Sequence, residues 1–144
     1  MSAYQPKIVC FSCNFGWGYL SNKSELMQKI QNWIPITCTA KIDPLFIFQA
    51  FAKGADGVLI LACPETQCHY EDGEFRTEKM VLLLQNVIEA FGIQRERVQI
   101  MFARDPEGHD ISNLVERMRN KINALGPLPK DIKGKGEYTY GQKA

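Results

Sequence analysis

Histidine occurs only twice in the 144 residues, and no apolar run approaches the ~20 residues a membrane helix requires. Charge excess is also missing. Seventeen basic side chains stand against sixteen acidic ones, leaving +1, so no field would gather nucleic acid or an anionic membrane. The opening "MSAYQPKIVCF" has no charged stretch followed by a long apolar one, so no secretory signal is expected and the cytoplasm is the expected location. There is no P-loop, and "NFGWG" (14–18) is not a dinucleotide-binding glycine pattern. No segment offers a nucleophile, a base and an orienting group together, so substrate turnover by this chain alone is not expected.

What is present suits one globular domain. The hydrophobic fraction is 45% and the charged fraction 23%, as in soluble proteins with a real core. Four continuous apolar runs, "KIVCF" (7–11), "IPIT" (34–37), "GVLILA" (57–62) and "VQIMFA" (98–103), read as strands covered on both faces. Four helical patterns separate and follow them. The first opens near Asn22, with Glu25 three residues on, and presents Leu26, Ile30 and Trp33. The second has Asp43 as N-cap, Pro44 at the first helical position and Gly54 as its stop, and is apolar almost all round, which predicts that it is largely buried. The third spans about 76–91 with a stripe of Met80, Leu84, Val87, Ile88 and Phe91. The fourth runs over 110–125 with Ile111, Leu114, Val115, Met118 and Ile122 facing inward.

The order βαβαβαβα predicts an α/β fold: an open, doubly wound, mostly parallel four-stranded sheet, flavodoxin-like in outline. A single domain over 1–126 is followed by an extended C-terminal tail over 127–144, rich in Pro, Gly and Lys. That tail reads as a frayed end or as an arm that orders on a partner subunit. Arg95, Arg97 and Arg104 read as solvated or partner-facing charges, and His109 as a helix-entry residue.

Cysteine carries the chemistry. In a parallel sheet every strand ends along one edge, where ligands collect. Cys13 lies just past the first strand, Cys38 and Cys63 end the second and third, and Cys68 sits in the loop beyond. Four thiols from three segments therefore converge by topology. In a cytosolic chain with an odd cysteine count, they read as ligands, redox thiols or core filler rather than a disulfide framework. Intervals of 25, 25 and 5 residues are not those of a zinc ribbon or finger, whereas a four-cysteine [2Fe–2S] cluster tolerates wide spacing. Cys10 lies inside the first strand, where it reads as a small buried hydrophobe. It also stands as an alternate ligand, or with Cys13 as a thiol redox pair. His69 reads as a donor near a cluster sulfur or a plain loop residue rather than as a metal ligand. Phe15, Trp17 and Tyr19 read as packing aromatics or a docking surface beside Cys13.

Cys38 with Asp43-Pro44, "GADGV" (54–58), Cys63-x4-Cys68-His69-Tyr70 and "GIQRERV" (92–98) together resemble the delta subunit family of methyl-viologen-reducing hydrogenase, over residues ~7 to 125. The resemblance implies a non-catalytic electron-transfer subunit of an oxidoreductase complex in anaerobic metabolism, with one [2Fe–2S] cluster as cofactor. Its metal ligands would be Cys13, Cys38, Cys63 and Cys68. The implied partners are a heterodisulfide reductase A-like flavoprotein subunit and a hydrogenase, formate dehydrogenase-type or other large reductase, in some cases in an electron-bifurcating assembly. The first loop departs from the family pattern of two adjacent cysteines, Asn, an aromatic residue and a third cysteine. Ser12-Cys13-Asn14-Phe15-Gly16 keeps only the middle thiol, which leaves four matched cysteines. The rival functions are a cluster-free adaptor of the same complex and a Cys10/Cys13 thiol enzyme.

Overall fold

The four β-branched runs form four strands, and every pairing between them is parallel. The computed structural model describes residues 4–13, 23–30, 32–63, 72–102 and 109–129. Within them β1 (Ile8–Cys13), β2 (Asn32–Ile36), β3 (Gly57–Ala62) and β4 (Val98–Phe102) lie side by side in the order β2-β1-β3-β4. Helices α1 (Lys23–Lys29), α2 (Pro44–Ala52), α3 (Gly73–Ala90) and α4 (His109–Leu125) come between and after them, with short 3-10 turns at Thr39–Lys41 and Arg95–Arg97.

Alternation along the strands divides the core in two. Val9, Phe11, Val58, Ile60 and Val98 turn toward α2 and α3, where Ile47, Phe51, Val81, Leu84 and Ile88 meet them. Ile8, Cys10, Leu59 and Leu61 turn the other way, onto Leu26, Ile111, Val115, Met118 and Ile122 of α1 and α4. Helices thus cover both faces, as a doubly wound sheet requires. Each fully buried Leu, Ile or Val contributes ~1.5–3 kcal/mol relative to exposure.

Local chemistry sets the element ends. Asp43 Oδ1 accepts the Leu45 N–H at 2.9 Å, Pro44 follows at the first helical position, and Gly54 closes the segment at φ +110°. Gly57 permits close contact between β3 and α4, since a Cβ there would stand 2.5 Å from Ile122 Cδ1 and 2.8 Å from Met118 Cε.

Several expectations are corrected. α1 ends at Lys29, and Trp33 lies in β2, paired with Cys10 and donating its Nε1–H to Ser12 Oγ at 2.7 Å. β2 is an edge strand with no buried residue, so it is not covered on both sides. α2 buries only Ile47 and Phe51, while Leu45 and Phe46 are about half exposed, because a helix on a sheet buries only the stripe that faces it. In α3 the inward stripe is Val81, Leu84 and Ile88 with Met80 partly buried; Val87 is exposed, as is Phe91 just past the helix end. Arg97 is 0% exposed rather than solvated. The expected helix start at Asn22, the loop residues Phe15, Trp17, Tyr19, Cys68 and His69, Arg104, and the tail beyond 129 lie outside the described residues.

Candidate metal centre

The strand order fixes where a site can form. From β1 the chain crosses to β2 on one side, and β3 then lies on the other side of β1. The connections after β1 and β3 lead to helices on opposite faces. A crevice opens between these two strands at their C-terminal ends, the topological switch point of such sheets.

Cys13 is the last residue of β1, and Cys63 directly follows β3. Both are buried, and their Sγ atoms stand 2.9 Å apart across the switch point. The Cys13 thiol also points at the Thr37 carbonyl oxygen, 3.9 Å away, in the segment that leads to Cys38. In the parallel register Ser12 pairs with Leu61, so Cys13 comes level with Ala62, and Cys63 follows one residue beyond, where β3 has ended and strand alternation no longer fixes its side chain.

Cys38 lies two residues beyond β2 and is buried. It caps the 3-10 turn Thr39–Lys41, whose Lys41 N–H bonds back to the Cys38 carbonyl at 3.0 Å. That turn touches both β1 and β3, so Cys38 stands at the same edge as the sulfur pair. Two buried hydroxyls fasten it. Thr77 Oγ1 donates to the Gly73 carbonyl at 2.7 Å, which uses its one proton, so Thr39 Oγ1 donates to Thr77 Oγ1 at 2.8 Å. The loop that carries Cys38 is thereby tied to the first turn of α3. Sequence reasoning missed Thr39 and Thr77; a Thr in the first turns of a helix was the only local hint.

Of the expected site residues, Cys13 and Cys63 are brought into contact and Cys38 to the same edge, while Cys68 lies outside the described residues. Among the described residues no group of three or more His, Cys, Asp or Glu forms a metal-holding cluster. Cys10 is placed elsewhere. Three residues before Cys13 it faces the opposite side of the sheet, fully buried among Leu26, Leu59 and Ile111. Burial there pushes its thiol up, above the ordinary range, so the protonated form persists at neutral pH. A Cys10/Cys13 dithiol would need two thiols on one face, and these two lie on opposite faces.

Buried thiols at a strand-end crevice suit a soft metal group, since thiolate ligands select zinc, copper(I) and iron–sulfur centres. Those residues would contribute sulfur donors and exclusion of water, and the chain's wide cysteine spacing leaves the fold to supply the geometry.

Comparison with known proteins agrees with this chemistry. Residues 8–126 match the family model described as methyl-viologen-reducing hydrogenase, delta subunit. The iron-sulfur subunit of the vhc F420-non-reducing hydrogenase of Methanococcus voltae is 32% identical over 128 residues, covering 86% of this chain and 89% of that protein. Its counterpart in the F420-non-reducing hydrogenase of Archaeoglobus profundus is 27% identical, covering 87% of this chain and 94% of that one. A component of the ferredoxin:CoB-CoM heterodisulfide reductase of Methanosarcina mazei, the subunit designated A, is 30% identical over 138 residues. That match covers 93% of this chain but spans only 17% of the longer protein. With most of its length matched, the chain belongs to the methyl-viologen-reducing hydrogenase delta subunit family.

Proposed function

We propose that this chain is the electron-transfer subunit of a large cytoplasmic oxidoreductase complex, carrying one [2Fe–2S] cluster on Cys13, Cys38, Cys63 and Cys68. It would relay electrons from a hydrogenase or formate dehydrogenase-type donor to a heterodisulfide reductase A-like flavoprotein subunit. The observation that supports the reading most is the meeting of the buried Cys13 and Cys63 sulfurs at the switch point. Bound there, the cluster would supply one-electron chemistry. The chain's own residues would hold it, shield it from water and fix its distance from a partner through the strand ends and the Thr39–Thr77 tie.

The surface supports a subunit role. Among the described residues, every large apolar side chain left exposed lies on β2, on α2, or on α3 and its C-terminal end, with Leu83 69% and Phe91 65% exposed. The opposite side is polar and self-bonded. Lys29 pairs with Glu25 and Glu116, and Arg119 donates to the Lys29 carbonyl and to Gln5. An exposed apolar patch of this kind marks an interaction face. α3 begins where the Thr77 hydroxyl holds the Cys38 loop, and its exposed Phe75 at that end would bring a partner toward the thiol edge. In the Methanosarcina relative the matching segment is one part of a longer polypeptide, which fits a domain built to sit against such a chain. Among the described residues, no helix is long and apolar enough to cross a membrane.

Iron and sulfide analysis of the anaerobically purified complex tests the proposal. About two of each per chain, with a reduced-state EPR signal, is the expected result; an iron-free subunit in an intact complex would favour the adaptor. A second expectation concerns the apolar face. Leu83→Asp with Val87→Asp would weaken co-purification with the flavoprotein subunit by about tenfold or more, while the iron content stays unchanged.

A further inference from the structure

We propose that the cleft between β2 and α2 binds an extended acidic segment of a partner polypeptide; the contact does not rest on the [2Fe–2S] reading. β2 pairs with β1 alone, and its Ile34, level with Phe11, points to the side of the sheet that α2 and α3 cover. Beside it lies an open cleft of about 660 Å³, within the roughly 300–1,000 Å³ that ligand clefts occupy. Val9 and Phe11 line it from the sheet, Ile34 from the edge strand, and Phe46, Gln49, Ala50 and Lys53 from α2 and its C-cap. The last four fall at i, i+3, i+4 and i+7, one stripe of a helix, next to the Ile47 and Phe51 positions that α2 buries in the core.

The cleft is polarised along the strands. α2 joins the end of β2 to the start of β3, so it runs back from the C-terminal edge of the sheet to the N-terminal one. Phe46, in its first turn, leaves apolar surface open together with Ile34, at 49% and 41% exposure. Lys53 at the far end of α2 and Lys7 just before β1 mark the N-terminal edge. Both lysines are exposed, and among the described residues neither ammonium meets a carboxylate. Asp56 is buried instead, with its Oδ2 accepting the Lys7 backbone N–H at 3.0 Å. No acidic side chain among the described residues lines the cleft.

Such a site matches a ligand that is apolar at one end and anionic at the other. Its dimensions favour an extended chain. From Phe46 to Lys53 the helix rises about 10 Å. Five extended residues cover about 13 Å and turn alternate side chains to one side. Two aliphatic side chains would then lie against Phe46 and Ile34, with a carboxylate at the lysines. A partner helix, about 10–12 Å across with its side chains, is wider than the one outer strand, which adds about 4.8 Å. Pro35 of β2 has no N–H to offer, so side chains rather than a new ladder would carry the contact. The chain's own residues 130–144 have the wrong charge, with four lysines against one aspartate and one glutamate. A second copy, at net charge +1, brings no complementarity either.

Two end-blocked peptides test the proposal: Leu-Thr-Leu-Thr-Glu and its counterpart ending in lysine. Each is titrated against the isotope-labelled full chain and followed by amide NMR shifts. The glutamate peptide is expected to bind about tenfold more tightly than the lysine one, with shifts centred on Ile34, Ala50 and Gly54. Lys7→Gln with Lys53→Gln should abolish that preference, while the rest of the spectrum and the iron content stay those of wild type. Equal binding of the two peptides, shifts centred elsewhere, or no binding at millimolar concentration overturns the proposal. So does tighter binding of decanoate than of the glutamate peptide, which would make the cleft a site for small amphiphilic anions. A concentration-dependent dimer with its interface shifts on the same residues also overturns it, in favour of a second copy. Peptide binding by an iron-free wild-type chain would leave this proposal standing while the cluster reading falls.

Discussion

Replacing Cys63 with alanine is expected to strip the protein of its iron–sulfur chromophore, with iron content falling at least about tenfold while the fold persists. Alanine removes one of the two sulfurs that meet at the switch point, and no other thiol among the described residues adjoins Cys13 there. The remaining ligands would then hold an incompletely coordinated iron open to water, and outer coordination losses far milder than this already cost 10–100-fold in metal affinity. Cys10→Ala is the matched control. It is the same chemical change at another buried cysteine, but away from the sulfur pair, among Leu26, Leu59 and Ile111 on the face of the sheet opposite Cys13. Its expected cost is about 1–2 kcal/mol of stability from the small cavity, with iron retained in full. Iron analysis, visible absorption and a denaturation curve on the two variants separate the outcomes. Full iron in Cys63→Ala, or iron lost in Cys10→Ala, would reverse the roles assigned to the two cysteines.

That contrast shows where sequence suffices and where it stops. The four strands and the α2 start were legible because their determinants are local: β-branched runs, and Asp43-Pro44 with a side-chain cap. The arrival of Cys13, Cys38 and Cys63 at one edge was legible because a parallel sheet ends its strands there. Cys10 and Cys13 could be separated only once β1 was known to continue to residue 13, since strand parity then sends them to opposite faces. α3 shows the converse. Its centre reads Val81-Leu82-Leu83-Leu84, apolar on more than one side, so periodicity alone cannot tell which stripe meets the sheet. The sheet took Val81, Leu84 and Ile88, and left Leu82, Leu83 and Val87 outside. A stripe that a partner covers has the same composition as one that the core covers. Edge strand β2 misled for a related reason, because its apolar run reads the same whether one neighbour or two flank it.

Arg97→Met is expected to destabilise the folded chain by about 3 kcal/mol or more, seen as a fall of about 1–2 M in the urea midpoint. Sequence reading made this arginine a solvated or partner-facing charge, because charge is ordinarily exposed. The structure buries it completely and engages its guanidinium in three directions. Nε donates to Gln94 Oε1 at 2.6 Å, Nη1 to the Asp56 carbonyl at 3.0 Å and Nη2 to the Gly126 carbonyl at 2.5 Å. These acceptors come from the entries to β4 and β3 and from the end of α4, so one side chain fastens three segments at the N-terminal edge of the sheet. Close by, burial and then the Asp56 charge hold the Tyr4 hydroxyl up at about 12, so it stays neutral. Methionine fills the volume but donates nothing, and each buried acceptor left without a partner costs ~1–3 kcal/mol. Lysine keeps the charge but lacks the planar fork, so Arg97→Lys should recover only part of the loss. The thiol site lies at the opposite edge of the same strands. Below its lowered denaturation midpoint, Arg97→Met should therefore keep its iron. Unchanged stability would mean that the three acceptors find water once the guanidinium is gone, and iron loss in the folded variant would mean that the two edges are mechanically coupled through the sheet.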